Sequence, residues 1–193
     1  NHYSRILTPN SQAISNETFL AGTTKISEGV LDAVRSVMTC SPDYLVMGMS
    51  AVTFYDGIAG ADAFVKKVED ESGIKISVGS HATSAALNAY GNIKKIAFVS
   101  PYYPIANAEV KRYFEECGFE VVRDICLECP SWTAIAEVPE DELRKLIREE
   151  LDGDDVDAAA TAFRFARFLV VESWSPPHRR CWIQGRLNTT SSS

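Results

Sequence analysis

A short stretch of this sequence holds several groups that could bind a negatively charged oxygen. The apolar run Tyr44–Met47 ends at Gly48, and the hydroxyls of Ser50 and Thr53 follow closely. Gly48 would let a ligand approach the backbone, while the Met49 N–H and the Ser50 hydroxyl would donate hydrogen bonds to it. Ligands of α/β proteins bind beyond the carboxyl ends of parallel strands, so this stretch is predicted to be a substrate loop.

Ser50 could instead act as a nucleophile or serve only a structural purpose. The G-x-S-x-G motif of serine hydrolases is absent around it, because residues 48–52 read Gly-Met-Ser-Ala-Val. No order of Asp and His residues that would activate the hydroxyl is evident. An oxyanion donor therefore fits better than a nucleophile, and the structural alternative is a serine that caps a helix or turn.

Two further segments carry candidate ligands for an anion. Tyr102 follows Ser100 and Pro101 directly before a predicted helix, where its phenol could donate to a carboxylate or a developing enolate. The alternative is an aromatic side chain packed on the surface. His81 lies at a predicted helix N-terminus and could contact an anionic ligand, although a first-turn surface residue is the more common case.

Neither a metal nor an organic cofactor is predicted. Cys126 and Cys129 form a lone CxxC, and a zinc site would need a second pair of ligands at suitable spacing. Neither phosphate-binding glycine motif, G-x-x-x-x-G-K-[ST] or G-x-G-x-x-G, is present. The five cysteines are an odd number without a disulfide-framework spacing, which favours a reduced, cytoplasmic protein.

The overall composition limits the partners of the protein. The 193 residues carry a net charge of −7, which argues against nucleic acid or an anionic membrane as the main partner. A hydrophobic content of 46% is sufficient for a packed core. No apolar run is long enough for a transmembrane helix.

The elements that would position these groups alternate between strand and helix. Apolar runs with a Gly or Pro within two residues of at least one end predict strands at 3–7, 44–47, 74–78, 93–99 and 119–125. Amphipathic periodicity predicts helices at 26–38, 59–71, 80–89, 105–117 and 139–151. This order predicts an α/β fold with a parallel sheet flanked by helices, and it places the functional loops after residues 47, 78, 99 and 125.

The pattern changes near residue 158. The Ala-rich stretch 158–168 contains strong helix formers where the rhythm requires a strand, and a basic, polar segment follows it. The sequence therefore predicts one α/β domain over residues 1–158 and an aberrant or poorly ordered tail over residues 159–193.

Four segments in register resemble the maleate isomerase/arylmalonate decarboxylase family of the aspartate/glutamate racemase superfamily. The family fold has two pseudo-symmetric α/β halves, and the chain resembles one half plus part of the second, incomplete at both ends and without the first strand. The matching segments are Gly48–Gly57, Ser77–Leu87, Ser100–Tyr102 with Asn107 and Glu109, and Gly153–Ala158.

The resemblance implies roles for particular residues. Ser50 falls where the isomerases place their first cysteine and would act as an oxyanion donor, while Tyr102 matches the tyrosine that binds the substrate carboxylate. Ser50 and Tyr102 are therefore the predicted catalytic residues. The predicted substrate-binding residues are Gly48, Met49, Ser50, Thr53, His81, Ser100 and Tyr102.

The resemblance also implies a reaction. We expect a cofactor-independent decarboxylase that acts on a small malonate-type or arylmalonate-type dicarboxylate through a stabilised enediolate. The alternatives are maleate cis–trans isomerisation or a racemase-like isomerisation, and an inactive fragment or small-anion-binding protein. A small dicarboxylate is the expected partner, and the chain is a candidate homo-oligomer.

Overall fold

The computed structural model describes residues 2–7, 14–162 and 181–183. Helices and strands alternate through most of this range, as the hydrophobic periodicity predicts. The helices are α1 (Asn16–Met38), α2 (Gly57–Ser72), α3 (Gly79–Ala89), α4 (Pro104–Glu116), α5 (Trp132–Glu137) and α6 (Glu140–Leu146). The strands are β1 (Leu45–Val46), β2 (Ile76–Ser77), β3 (Lys95–Ser100), β4 (Glu120–Cys126), β5 (Ala158–Thr161) and β6 (Cys181–Ile183).

The strands form two parallel sheets. β1 pairs with β2, and the larger sheet has the order β4-β3-β5-β6. β3 lies between two other strands of the larger sheet, and every residue from Ile96 to Ser100 is buried. Burial on both faces explains why this strand is mostly apolar. Within the described residues, the predicted parallel α/β fold flanked by helices is confirmed.

Side-chain alternation along β3 divides the core. Ile96 and Phe98 pack towards α4, whereas Ala97 and Val99 pack against Leu143 and other residues of the α6 region on the opposite face. A third cluster lies between α1, β1 and α2 and includes Val30, Leu45 and Val68. The loops that follow β1 and β3 are therefore supported by different parts of the core.

The N-terminal predictions need correction. Residues 2–7 form no strand, and α1 begins at Asn16 rather than at residue 26. Ser15 caps α1 through a capping box with Thr18, a variant that the usual Ser-x-x-Glu signal does not reveal. At the end of α2, Gly73 ends the helix with a φ of 73°, a conformation that side chains disfavour and glycine adopts readily.

The C-terminal predictions also differ from the structure. The predicted helix 139–151 consists of α6 followed by a π-helical turn at Ile147–Leu151, and α5 was not predicted. The Ala-rich stretch has high helix propensity, but Ala158–Thr161 form a strand between β3 and β6, the element that the alternation of strands and helices requires at this point. Residues 163–180 and 184–193 lie outside the described residues, so the division at residue 158 stays a prediction.

No helix in the described ranges is both long and apolar enough to cross a membrane.

Candidate functional site

Two hydroxyl groups from separate loops meet at one backbone oxygen. Ser50 Oγ lies 2.5 Å from the phenolic oxygen of Tyr102, and each of these atoms lies 3.1 Å from the carbonyl oxygen of Ala162. Ser50 follows β1, Tyr102 follows β3 and Ala162 follows β5. The site therefore forms at the carboxyl ends of parallel strands, where sequence reasoning placed Ser50 and Tyr102.

The protons in this triangle limit its hydrogen bonds. Ser50 and Tyr102 carry one hydroxyl proton each, and the Ala162 carbonyl can only accept. At most two of the three close contacts can be hydrogen bonds at one time. Both hydroxyl protons can therefore be engaged within the protein, and an incoming anion must compete with these internal acceptors to receive them.

A short 3-10 turn at Ala51–Thr53 positions Ser50. Thr53 Oγ1 donates to the Ser50 carbonyl at 2.7 Å and accepts from the Ser80 N–H at 3.4 Å. Thr53 is fully buried, so its hydroxyl links the loop after β1 to the start of α3. Thr53 therefore helps to position the backbone of Ser50. The predicted contact between Thr53 and a substrate stays a prediction.

Tyr102 is packed as a core residue, with 3% of its surface exposed. Its ring contacts Phe19 of α1 at a centroid distance of 5.6 Å. Burial raises the pKa of Tyr102 well above its usual value, against a smaller lowering by the hydrogen bond with Ser50. The phenol therefore stays protonated and available as a donor throughout the neutral range.

The backbone after β1 offers further donors. Within the described part of the chain, the N–H groups of Gly48 and Met49 have no hydrogen-bond acceptor. Open space surrounds the position of a Cβ on Gly48, and Met49 is half-buried between two core clusters. These two amides could hold an anionic group. The sequence predicts this role for the Met49 N–H, with Gly48 allowing close approach, and both roles stay predictions.

Ser100 is fully buried at the end of β3. Its hydroxyl donates to the side-chain oxygen of Asn107 at 2.6 Å and accepts from the Tyr102 N–H at 3.3 Å. The structure thus places Ser100 beneath Tyr102, in contact with the Tyr102 backbone.

His81 lies in the first turn of α3, but its contacts lead to other helices. Its Nε2 lies 3.2 Å from a carboxylate oxygen of Asp62, and its ring stacks on Tyr113. These contacts do not join His81 to Ser50 or Tyr102, and its predicted substrate contact stays a prediction.

The cysteines whose side chains are described are free thiols. Burial raises the pKa of Cys129, whose N–H donates to the Pro101 carbonyl next to Tyr102. Burial also raises the pKa of Cys126, so both members of the CxxC stay as thiols at neutral pH. Across residues 2–7, 14–162 and 181–183, no group of three or more His, Cys, Asp and Glu residues is placed to hold a metal ion.

Sequence reasoning assigned no role in the site to three contributors, of which only Asn107 was named, as part of a segment that resembles the family. Ala162 enters through its carbonyl oxygen, which no side-chain pattern could reveal. Asn107 of α4 and Asp124 of β4 contribute through side-chain hydrogen bonds. Ser100 is bonded to Asn107, and Asn107 is bonded to Asp124. The available signal for this polar contact was an Asn seven residues after Ser100, in the first turn of the predicted helix 105–117.

Comparison with known proteins identifies the family. The model of the arylmalonate decarboxylase family matches residues 12–162. No curated protein sequence matches the chain. Among solved structures, the Nocardia farcinica maleate cis-trans isomerase bound to TRIS is similar with a TM-score of 0.68 and 19% identity, covering 78% of this chain and 61% of its own.

Two other structures show the same fold. Maleate isomerase Iso from Pseudomonas putida S16 has a TM-score of 0.68 at 19% identity, over 75% of this chain and 60% of its own. A crystal structure of arylmalonate decarboxylase has a TM-score of 0.62 at 20% identity, over 72% and 61% respectively. This chain thus spans about three fifths of the length of these proteins. The family model covers well over half of this chain, and the protein therefore belongs to the arylmalonate decarboxylase family.

Proposed function

We propose that this protein catalyses cofactor-independent decarboxylation of a small malonate-type dicarboxylate, with Ser50 and Tyr102 stabilising an enediolate. The observation that carries the proposal is the convergence of both hydroxyls on one oxygen, the Ala162 carbonyl, at 3.1 Å each. A carboxylate or enediolate oxygen is the same kind of acceptor with a larger negative charge. It would bind both donors more strongly than the carbonyl does.

The chemistry needs this type of donor. When the bond between the α-carbon and one carboxylate breaks, CO₂ leaves and the bonding electron pair stays on the α-carbon. The pair delocalises into the remaining carboxylate, which becomes an enediolate with increased charge on its oxygens. Hydroxyl donors that are already oriented in a buried site stabilise that charge without reorganisation of solvent.

The reaction is completed by a proton that is added to the α-carbon. The family resemblance assigns this step to a cysteine of the second half, and none of the described thiols is proposed for it. The Gly48 and Met49 amides would hold a carboxylate of the substrate during both steps. Substrate contacts by Thr53 and Ser100 would be indirect, through Ser50 and Tyr102.

A binding role for His81 requires an exchange of partners. Its imidazole would have to leave the carboxylate of Asp62, which lies 3.2 Å away, and turn towards a ligand. Such a contact would serve an anion at the start of α3, since the helix dipole favours negative charge there.

Maleate cis–trans isomerisation is the second candidate function. Its support is the similarity of the fold to maleate isomerases, which is at least as high as the similarity to arylmalonate decarboxylase. An isomerase would also use oriented donors to a carboxylate. A racemase-like isomerisation, and anion binding without turnover, are the remaining alternatives.

The test is incubation of the purified chain with phenylmalonate and with maleate, followed by NMR of the products. Decarboxylation gives the monocarboxylic acid from phenylmalonate, and isomerisation gives fumarate from maleate. Ser50→Ala and Tyr102→Phe should each lower kcat by about a hundredfold, the usual cost of removing one oxyanion donor. Fumarate formation without any monocarboxylic acid would contradict the decarboxylase proposal.

Binding measurements test the same site independently of turnover. Calorimetric titration with malonate should show an affinity that both variants weaken. Titration with inorganic phosphate distinguishes a general anion site, and equal affinity for phosphate and malonate would contradict a dicarboxylate site.

A further inference from the structure

We propose that Ser100, Asn107 and Asp124 form a relay of hydrogen bonds that positions Tyr102 for its role as a donor. This inference rests on the proposed function of Tyr102. The three residues come from the end of β3, from α4 and from β4, and Ser100 and Asn107 are buried. They are positioning residues, since the relay reaches the backbone of Tyr102 and not the substrate.

The relay is continuous. Asn107 Nδ2 donates to Asp124 Oδ2 at 2.6 Å, and Ser100 Oγ donates to Asn107 Oδ1 at 2.6 Å. The Tyr102 N–H then donates to Ser100 Oγ at 3.3 Å. On its outer side, Asp124 accepts a hydrogen bond from Lys111 at 3.3 Å.

The carboxylate sets the direction of every bond. An ionised Asp124 can only accept, so the Asn107 amide must turn its NH₂ group towards it. The amide oxygen then faces Ser100 and requires the serine hydroxyl as donor. A lone pair of Ser100 Oγ is left to accept the Tyr102 N–H, which orients the peptide that carries the phenol.

The other side of the same loop is held by the segment after β4. The N–H groups of Leu127, Glu128 and Cys129 donate to the carbonyls of Ser100, Tyr102 and Pro101 respectively, at 2.9 to 3.2 Å. β4 supplies the Asp124 end of the relay, and the segment directly after β4 supplies the donors that bind the Tyr102 loop. The loop is held at its N–H and C=O groups, which determines where the phenol meets Ser50.

Stability alone is a poor explanation for a buried polar chain. Polar groups in the interior cost desolvation, and a well-packed apolar set is often as stable. A fully paired chain adds one defined orientation for each of its members. Catalytic donors need such definition, since a displacement of about 1 Å can lower a rate by about a hundredfold.

The test compares Ser100→Ala and Asp124→Asn with Asp70→Asn. Asp70 is an exposed carboxylate paired with Lys66, so its variant makes the same charge change far from the relay. Each relay variant should lower kcat by about tenfold or more on the dicarboxylate that the wild type turns over, with a smaller change in KM. Asp70→Asn should match the wild type. All measurements belong at a temperature well below each variant's thermal transition.

A second readout does not depend on turnover. In NMR spectra of the full chain, both relay variants should shift the ¹³Cζ signal of Tyr102, which senses the hydrogen bonds of the phenol. Exchange of the Tyr102 amide should accelerate by about tenfold or more, while the Phe98 amide of β3 keeps its wild-type protection. Asp70→Asn should change none of these signals.

The two readouts separate this inference from the proposed function. If the wild type neither turns over nor binds any dicarboxylate, the proposed function fails, and the Tyr102 signals still decide the relay. Unchanged Tyr102 signals in both relay variants would overturn the relay. Wild-type kcat in both variants of an active enzyme would overturn it as well.

Discussion

The shared acceptor at Ala162 couples Ser50 to Tyr102. Both hydroxyls lie within hydrogen-bond distance of the carbonyl and of each other, but only two protons serve these three close contacts. If one hydroxyl is removed, the other can still satisfy the buried carbonyl. If both are removed, the carbonyl oxygen loses both donors.

This coupling predicts a non-additive double-mutant cycle. Ser50→Ala and Tyr102→Phe should each lower the free energy of unfolding by about 1 kcal/mol, the net value of one hydrogen bond. The double variant should cost about 1 kcal/mol more than their sum, because the Ala162 carbonyl is left unpaired. Urea denaturation of the four proteins measures the cycle, and strict additivity would contradict the shared acceptor.

The sequence predicts the two hydroxyls of the site but not their common partner. Ser50 and Tyr102 each follow an apolar run that ends at a small or rigid residue, so their place at strand ends is readable from local pattern. Ala162 acts through its backbone, and every residue has the same carbonyl group. Only the pairing of β5 beside β3 brings that carbonyl to the site.

Tyr113 makes the stability of the protein sensitive to alkaline pH. It is 2% exposed, and burial raises its pKa to about 12, with a smaller opposing effect from the Ser84 hydroxyl. The folded state therefore keeps a proton that the unfolded chain loses above about pH 10. Its contribution is fully present below pH 10 and is lost as the pH rises towards 12.

The Tyr113→Phe variant tests this expectation. Between pH 10 and 12 the wild type should lose about 2 kcal/mol of unfolding free energy through this group, and the variant should lose correspondingly less. Urea denaturation at several alkaline pH values gives the slope of unfolding free energy against pH for each protein. Parallel slopes for the two proteins would show that the Tyr113 phenol ionises equally in the folded and unfolded states.

At the scale of elements, local pattern predicts most of the described helices and strands but fails where tertiary contacts decide. Ala158–Ala160 have high helix propensity, yet they form the buried strand β5, because a position between β3 and β6 accepts small side chains on both faces. Residues 2–7 have the composition of a strand but pair with no other strand among the described residues. A strand needs a neighbour, and sequence composition does not supply one.

Asp157 ties the beginning of β3 to the beginning of β5. Its carboxylate accepts from the N–H groups of Lys94 and Lys95 at 2.8 Å each, and these bonds lower the pKa of Asp157. Asp157→Ala should lower the unfolding free energy at pH 7 by about 1 kcal/mol, a value that allows for the exposure of the carboxylate. Because the pKa of Asp157 is lower in the folded state than in the unfolded chain, this contribution is present above about pH 4 and is lost as the pH falls further.

Denaturation at pH 7 and at pH 2.5 measures the effect. The difference between wild type and Asp157→Ala should shrink at the lower pH, because a protonated carboxyl accepts from the two N–H groups more weakly than a carboxylate does. Asp70→Ala, which removes an exposed carboxylate paired with Lys66, should change stability by a smaller amount at pH 7. A larger loss from Asp70→Ala would contradict the assignment.

At the scale of the whole molecule, one edge of β1 is open in the described structure. β2 pairs with one side of β1, and no strand within residues 2–7, 14–162 and 181–183 pairs with the other. Tyr44, directly before β1, and Val46, within β1, are 55% and 53% exposed. An unpaired edge flanked by apolar side chains favours pairing with a second chain.

We therefore expect concentration-dependent self-association that Val46→Lys weakens by about tenfold, because a charged side chain on an edge strand opposes strand pairing. Sedimentation velocity over a range of concentrations gives the dissociation constants. Leu20→Lys is the matched control, since Leu20 is also an exposed apolar residue but lies on α1, where the backbone is paired within the helix. If the wild type stays monomeric at every concentration, or if Leu20→Lys weakens association as much as Val46→Lys, the open edge of β1 is not what brings two chains together.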